Sequence, residues 1–157
     1  MKAEKKIDHS EIIQLVSFKL GKEEFGVDIL VVQEINRMLK ITKVPNSPSY
    51  VEGVSNLRGR IVPIVDLRTK MGMPRVKADK STRIIVVEVE GITLGFIVDE
   101  VSEVLRISSD IIEPPPELVS GVNSDFITSV GKMDDRLLLL LDLNKIIEVG
   151  EIDSLAI

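Results

Sequence analysis

Val51–Leu67 reads VEGVSNLRGRIVPIVDL. Two apolar stretches flank a polar Asn56-Leu57-Arg58-Gly59 centre, the pattern of short strands joined by a tight turn at Arg58-Gly59. Strands are therefore predicted over 51–57 and 60–66, with one helical turn over 67–71. Asn56 and Arg58 fall where the hairpin meets water, and no packing demand explains them. Loop tips held by a rigid scaffold commonly carry function.

Working outward, the chain is written twice. LGKEEFGVDILVVQEI (Leu20–Ile35) returns as VEGITLGFIVDEVSEV (Val89–Val104) at an offset of 69, which aligns Gly26 with Gly95 and Glu34 with Glu103. The hairpin returns at an offset of 76, which aligns Arg60 with Arg136 and Asp66 with Asp142. The difference fits a longer loop around the prolines at 114–116. Glycines and charges match as well as hydrophobes, so two similar units related by a pseudo-twofold are expected. A unit of about 65 residues buries too little surface to be stable alone, and a shared apolar interface follows.

The remaining elements read as strands over 13–20 and 23–27 with Lys22 in the turn, an Asp28-capped turn through Val32, and an extended run over 34–44. Strands follow over 83–90 and 93–98, a mixed turn and strand over 101–107, a hairpin over 127–142 across Asp134-Asp135, and a short helix over 142–149. Pro63 lacks a backbone donor and is expected on an edge or at a bulge. Short strands with polar turns and no long helices indicate an all-β fold. Among Ile29, Leu30, Val31, Val32 and Ile35, some must reach the surface, because one short turn and strand cannot turn them all inward; Val32 is the candidate singled out.

The chain has 157 residues, 44% hydrophobic, with only Phe18, Phe25, Tyr50, Phe96 and Phe126 aromatic, so Val, Ile and Leu must fill the core. A net charge of −5 argues against binding a nucleic-acid backbone. Lys70, Arg75, Lys77, Lys80 and Arg83 cluster, and read as a solvated connector. No cysteine is present, which excludes disulfides and thiolate chemistry and suits a reducing compartment. Residues 1–11 lack the apolar run of a secretory signal, and Leu137–Leu141, the longest apolar run, is too short to span a membrane.

Catalytic readings fail on inventory. His9 is the single histidine, so neither a nucleophile–histidine arrangement nor a histidine metal site can be built. Gly53 and Gly59 are not followed by the Lys-Ser/Thr of a phosphate loop. Asp66, Asp99 and Asp142 read as turn or cap residues; a carboxylate-dependent hydrolase is the remote alternative. The prolines at 114–116 read as a rigid loop. Arg58 is different, since a turn does not require arginine, and Glu34 is the counter-charge it would meet.

Phe25-Gly26-Val27-Asp28, Val32-Gln33-Glu34-Ile35 and Gly53-Val54-Ser55-Asn56-Leu57-Arg58-Gly59, through Pro63 to Asp66-Leu67, closely resemble the CheW-like family of chemotaxis adaptors; Gly95–Val101 matches as well. The resemblance implies two five-stranded SH3-like β-barrels around a shared core. It implies one domain over 12–150, with subdomains near 12–78 and 79–150 whose terminal strands can exchange, and tails at 1–11 and 151–157. It further implies a non-catalytic, cofactor-free and metal-free adaptor in the cytoplasm, recruited to the inner membrane face. Its partners would be transmembrane chemoreceptors and the regulatory domain of the histidine kinase CheA, with no nucleic acid and no membrane insertion. A scaffold of another two-component pathway is the alternative. Receptor contact would fall on Val32, Glu34, Gly53, Asn56 and Arg58.

Overall fold

Four hairpins with two-residue turns organise the chain. In the computed structural model, which describes residues 11–115 and 126–146, β1 (Ile12–Leu20) pairs with β2 (Glu23–Asp28), and β4 (Val51–Leu57) with β5 (Arg60–Asp66). β6 (Arg83–Val89) pairs with β7 (Ile92–Val98), and β10 (Ile127–Met133) with β11 (Arg136–Leu141). Arg58 and Gly59 have φ of 53° and 84°, and Glu90 and Gly91 have 52° and 79°. Two positive values in succession define the type I′ turn, whose twist matches that of paired strands.

β3 (Val32–Arg37), β8 (Glu100–Ser108) and the two-residue β9 (Ile112–Glu113) complete two sheets. One runs β8-β1-β2-β11-β10-β9, the other β3-β6-β7-β5-β4. Both are antiparallel except at one junction, β2 with β11 and β7 with β5, which is parallel. The sheets do not divide near residue 78: β1 and β2 lie with the C-terminal strands, and β6 and β7 with β3–β5. Parallel pairing requires a long connection: β2 reaches β11 only after the chain has built the whole five-stranded sheet, whereas β5 reaches β7 by way of residues 67–82 and β6 of its own sheet.

Each sheet curls until its ends meet. β9 is the continuation of β8 beyond a single turn, and it pairs with β10. In the five-stranded unit the chain beyond β3 returns to β4, where Thr42 and Val54 exchange hydrogen bonds of 2.8 and 2.9 Å. The architecture is thus the expected pair of small barrel-like units. The sixth strand of the first sheet is this closing piece. The extended run after Glu34 ends as a strand at Arg37, and 101–107 proves to be part of the nine-residue β8 with no turn inside it.

The core sits between the sheets. One buried cluster takes Phe18, Leu20, Phe25, Ile85, Val87, Phe96, Leu139 and Leu141 from both units, and the Phe18 and Phe25 rings stack at 5.8 Å. Each unit keeps only a small interior of its own: Leu15, Leu105, Ile107, Leu138 and Leu140 in one, Val62, Ile64, Ile84 and Val86 in the other. Side-chain alternation explains the division, since β6 sends Ile84 and Val86 inward and Ile85 and Val87 to the partner unit. Gly26 and Gly95 stand at the parallel junctions. A Cβ on Gly95 would lie 2.8 Å from both Ile64 and Ile84.

Two further readings are corrected. Pro63 lies in β5, an interior strand. It is tolerated because pairing with β7 begins one residue later, at Ile64. The basic connector is not wholly solvated either: Arg75 bonds Glu52, and Lys70 stands 4.1 Å over the Tyr50 ring. Residues 1–10, with His9 among them, the proline run beyond Pro115 and the tail at 151–157 lie outside the described residues.

The two units are also tied by charge. Asp99, between β7 and β8, takes Arg68 in a fork at 2.8 and 2.5 Å and accepts the Gly21 amide from the β1–β2 turn at 2.7 Å. Arg68 belongs to α1 (Leu67–Lys70), so the carboxylate joins both sheets. Desolvation, the largest influence, pushes its pKa up, but the Arg68 and Gly21 hydrogen bonds prevail and hold it below its ordinary value. A lowered folded-state pKa stabilises above the unfolded value and is lost as pH falls through the folded one. Urea midpoints should therefore drop as pH falls below about 4, the ordinary Asp range. Asp99→Asn should weaken the protein near neutral pH and flatten this acid limb; an unchanged limb would remove Asp99 from the account.

Candidate docking site

Glu34 lies on β3 and Arg58 in the β4–β5 turn, on strands at opposite ends of the sheet order. Closure of the unit brings them together, and the Arg58 guanidinium donates to Glu34 Oε2. Arg58 remains 72% exposed while Glu34 is 21% exposed. The clasp thus presents a cation to solvent with its counter-charge set below it. The Arg58 hydrogen bond is the chief influence holding the Glu34 carboxyl below the ordinary range, with partial desolvation opposing it. Glu34 Oε1 and the Asn36 amide nitrogen are both buried without a well-aligned hydrogen bond. They lie close enough for the amide to draw the carboxyl down further.

The other three residues of the expected set have different positions. Asn56 is exposed, and its Oδ1 accepts the Gly59 amide at 2.8 Å, which holds the turn. Gly53 is buried with φ 146°, and its missing Cβ admits the Thr42 carbonyl. It shapes the strand under the tip and presents no side chain. Val32 is half-buried and packs against the shared core, so it does not stand out as a surface residue. Leu30, at 88% exposed, is the outward member of that segment. The elements joined by the clasp also carry Ile35 and Ile61, 39% and 54% exposed. Strand alternation was the available signal for Ile61, which follows from Val62 pointing inward.

The six-stranded unit lacks this arrangement at equivalent positions. There Arg136 takes Glu24 at 2.5 Å and Glu103, the repeat mate of Glu34, at 3.4 Å. Arg60, the mate of Arg136, instead donates to Thr93 at 2.9 Å, and the turn residue matching Arg58 is Asp134. The exposed arginine therefore distinguishes one unit from its pseudo-symmetric copy.

Asp66 caps α1, accepting Arg68 N at 3.0 Å, and Asp142 accepts Asn144 N at 2.9 Å, which accounts for two of the three aspartates as caps. Among the described residues no group of three or more His, Cys, Asp or Glu could hold a metal ion. Nor is any described helix long and apolar enough to cross a membrane.

Residues 14–151 match the CheW-like domain. The chain belongs to the CheW-like family. Chemotaxis protein CheW of Klebsiella aerogenes is 38% identical over 91% of this chain and 88% of its own length. That of Helicobacter pylori is likewise 38% identical, over 92% and 87%. The crystal structure of scaffolding protein TtCheW from Thermoanaerobacter tengcongensis superposes with a TM-score of 0.83 at 37% identity, covering 90% of this chain and 96% of that one. The CheW-like match spans both units, as it must when neither has a sufficient core of its own.

Proposed function

We propose that the chain is a non-catalytic chemotaxis adaptor that couples transmembrane chemoreceptors to the histidine kinase CheA, acting in the cytoplasm at the inner membrane face. Membership of the CheW-like family supports the role, and the Glu34–Arg58 clasp is the observation that carries the site. An arginine in the left-handed region costs conformational energy that glycine or asparagine would avoid. An exposed ion pair returns little stability. Recognition is the better reason for it, because a fixed guanidinium fork selects partner and orientation.

In this reading Arg58 and Glu34 contact the receptor. Asn56 and Gly53 hold the tip in shape, and Val32 supports the strand below. Ile35 and Ile61 supply apolar contact. The cytoplasmic tip of a receptor, a helical hairpin, suits such a surface, with side chains at helical spacing on the isoleucines and a carboxylate on the arginine.

Arg58→Ala should leave the far-UV circular dichroism and melting temperature unchanged yet weaken capture of a receptor fragment about tenfold or more, the scale of one charge-assisted hydrogen bond. Arg58→Lys should fall between, keeping charge and losing the fork. Capture equal to the parent would remove Arg58 from the site. Assembly of receptor fragment, this chain and CheA into one complex tests the coupling role itself.

A further inference from the structure

The two units differ in a second way. Beside α1 in the five-stranded unit, a groove is filled by the chain's own connector. Arg75 bonds Glu52, approaches Asp66 Oδ2 at 3.5 Å and donates to the Ser49 carbonyl at 2.9 Å. Asp66 serves two ends at once: Oδ1 caps α1 and Oδ2 faces the cation. The space left there is about 100 Å³.

The repeat places an equivalent groove in the six-stranded unit, beside α2 (Leu143–Ile146). Asp142 stands where Asp66 does, Asn144 where Arg68 does, and Thr128 where Glu52 does. Among the described residues this groove is open, about 370 Å³, with Leu15, Val27 and Leu140 among its apolar lining and Asp28 and Glu88 beside them. Asp142 Oδ1 caps as Asp66 Oδ1 does. Asp28 accepts the Leu30 amide, and Glu88 accepts the Gln33 amide. Among the described residues none of these three carboxylates has a cation. The positions equivalent to the connector offer none: the offset of 76 puts Glu151 and Asp153 where the connector has Arg75 and Lys77.

We propose that this open groove receives an arginine flanked by apolar residues, carried on an extended segment of a partner protein and seated on Asp142 as Arg75 is seated on Asp66. Apolar lining binds the flanks, and the free carboxylate oxygen fixes the guanidinium. The proposal does not draw on the Arg58 rim.

The connector itself supplies the probe. A synthetic peptide of residues 72–80, GMPRVKADK, is titrated into the 15N-labelled full chain. Saturable amide shifts are expected at 140–144 and at Asp28. Asp142→Asn keeps a capping side chain, so the fold should stand while peptide affinity falls at least about tenfold, the scale of a lost charge-assisted hydrogen bond. Glutamine in place of the peptide's arginine should do the same, and Arg58→Ala should not alter binding. Absence of groove shifts, or equal affinity for Asp142→Asn, overturns the proposal. Shifts confined to residues 147–157 would also overturn it, by naming the chain's own tail as occupant.

Discussion

Gly53→Ala is expected to cost about 3 kcal/mol of stability, from overpacking and backbone strain together. A Cβ at this position would lie 2.2 Å from the Thr42 oxygen and 2.7 Å from its carbonyl carbon. Both are backbone atoms, so no rotamer change relieves the clash. The φ of 146° adds strain for any residue with a side chain. Relief would require the return segment to lift off β4, breaking the paired Thr42–Val54 hydrogen bonds that close the unit. The same movement would loosen the base of the Arg58 turn, so receptor capture should fall together with stability. Urea unfolding at neutral pH measures the first, pulldown the second. Arg58→Ala should separate them, with capture lost and stability kept. A Gly53→Ala protein as stable as the parent would mean that the close approach of Thr42 is not maintained in solution.

Phe25→Ala should be the most damaging core truncation, at about 3–5 kcal/mol, the range for removing a buried phenylalanine. Phe25 is fully buried and stacks on Phe18, itself 1% exposed, at the centre of the cluster shared by both units. Its loss leaves a cavity that neither sheet can close without moving against the other. Phe25→Leu should cost much less, because it keeps most of the volume. The position also tests how the units depend on each other. Tyr50 lies in the connection into β4, so its fluorescence reports on the five-stranded unit, while far-UV circular dichroism reports on both. The two probes should give one coincident transition in the parent and in Phe25→Ala. A fluorescence transition that survives unshifted in the variant would show that the five-stranded unit stands without the shared core.

Much of this was legible in the residues. The Arg58-Gly59 and Asp134-Asp135 turns, the caps at Asp28 and Asp66 and most strand limits follow from local chemistry, which needs no distant partner. Pro63 was expected on an edge or at a bulge, but the relevant fact is that β7 begins to pair only at Ile64, through Gly95 far along the chain. Val32 is half-buried against the shared core, a packing that only contacts between the two units reveal. Gly53 carried a binding expectation from resemblance, whereas its local demand comes from the Thr42 carbonyl. The connector looked solvated because charge count alone does not show that Arg75 has Glu52 and Asp66 to meet.

Alternation, turn chemistry and the repeat by themselves determined an all-β chain of two like units that need each other, with an arginine at one hairpin tip. These are properties of neighbours along the backbone and of composition. Only the tertiary structure decided which strands share a sheet, that Glu34 lies under Arg58, and that, among the described residues, one of two equivalent grooves is filled while the other is open. Those outcomes depend on contacts between residues tens of positions apart, where parallel crossover and barrel closure choose the neighbours.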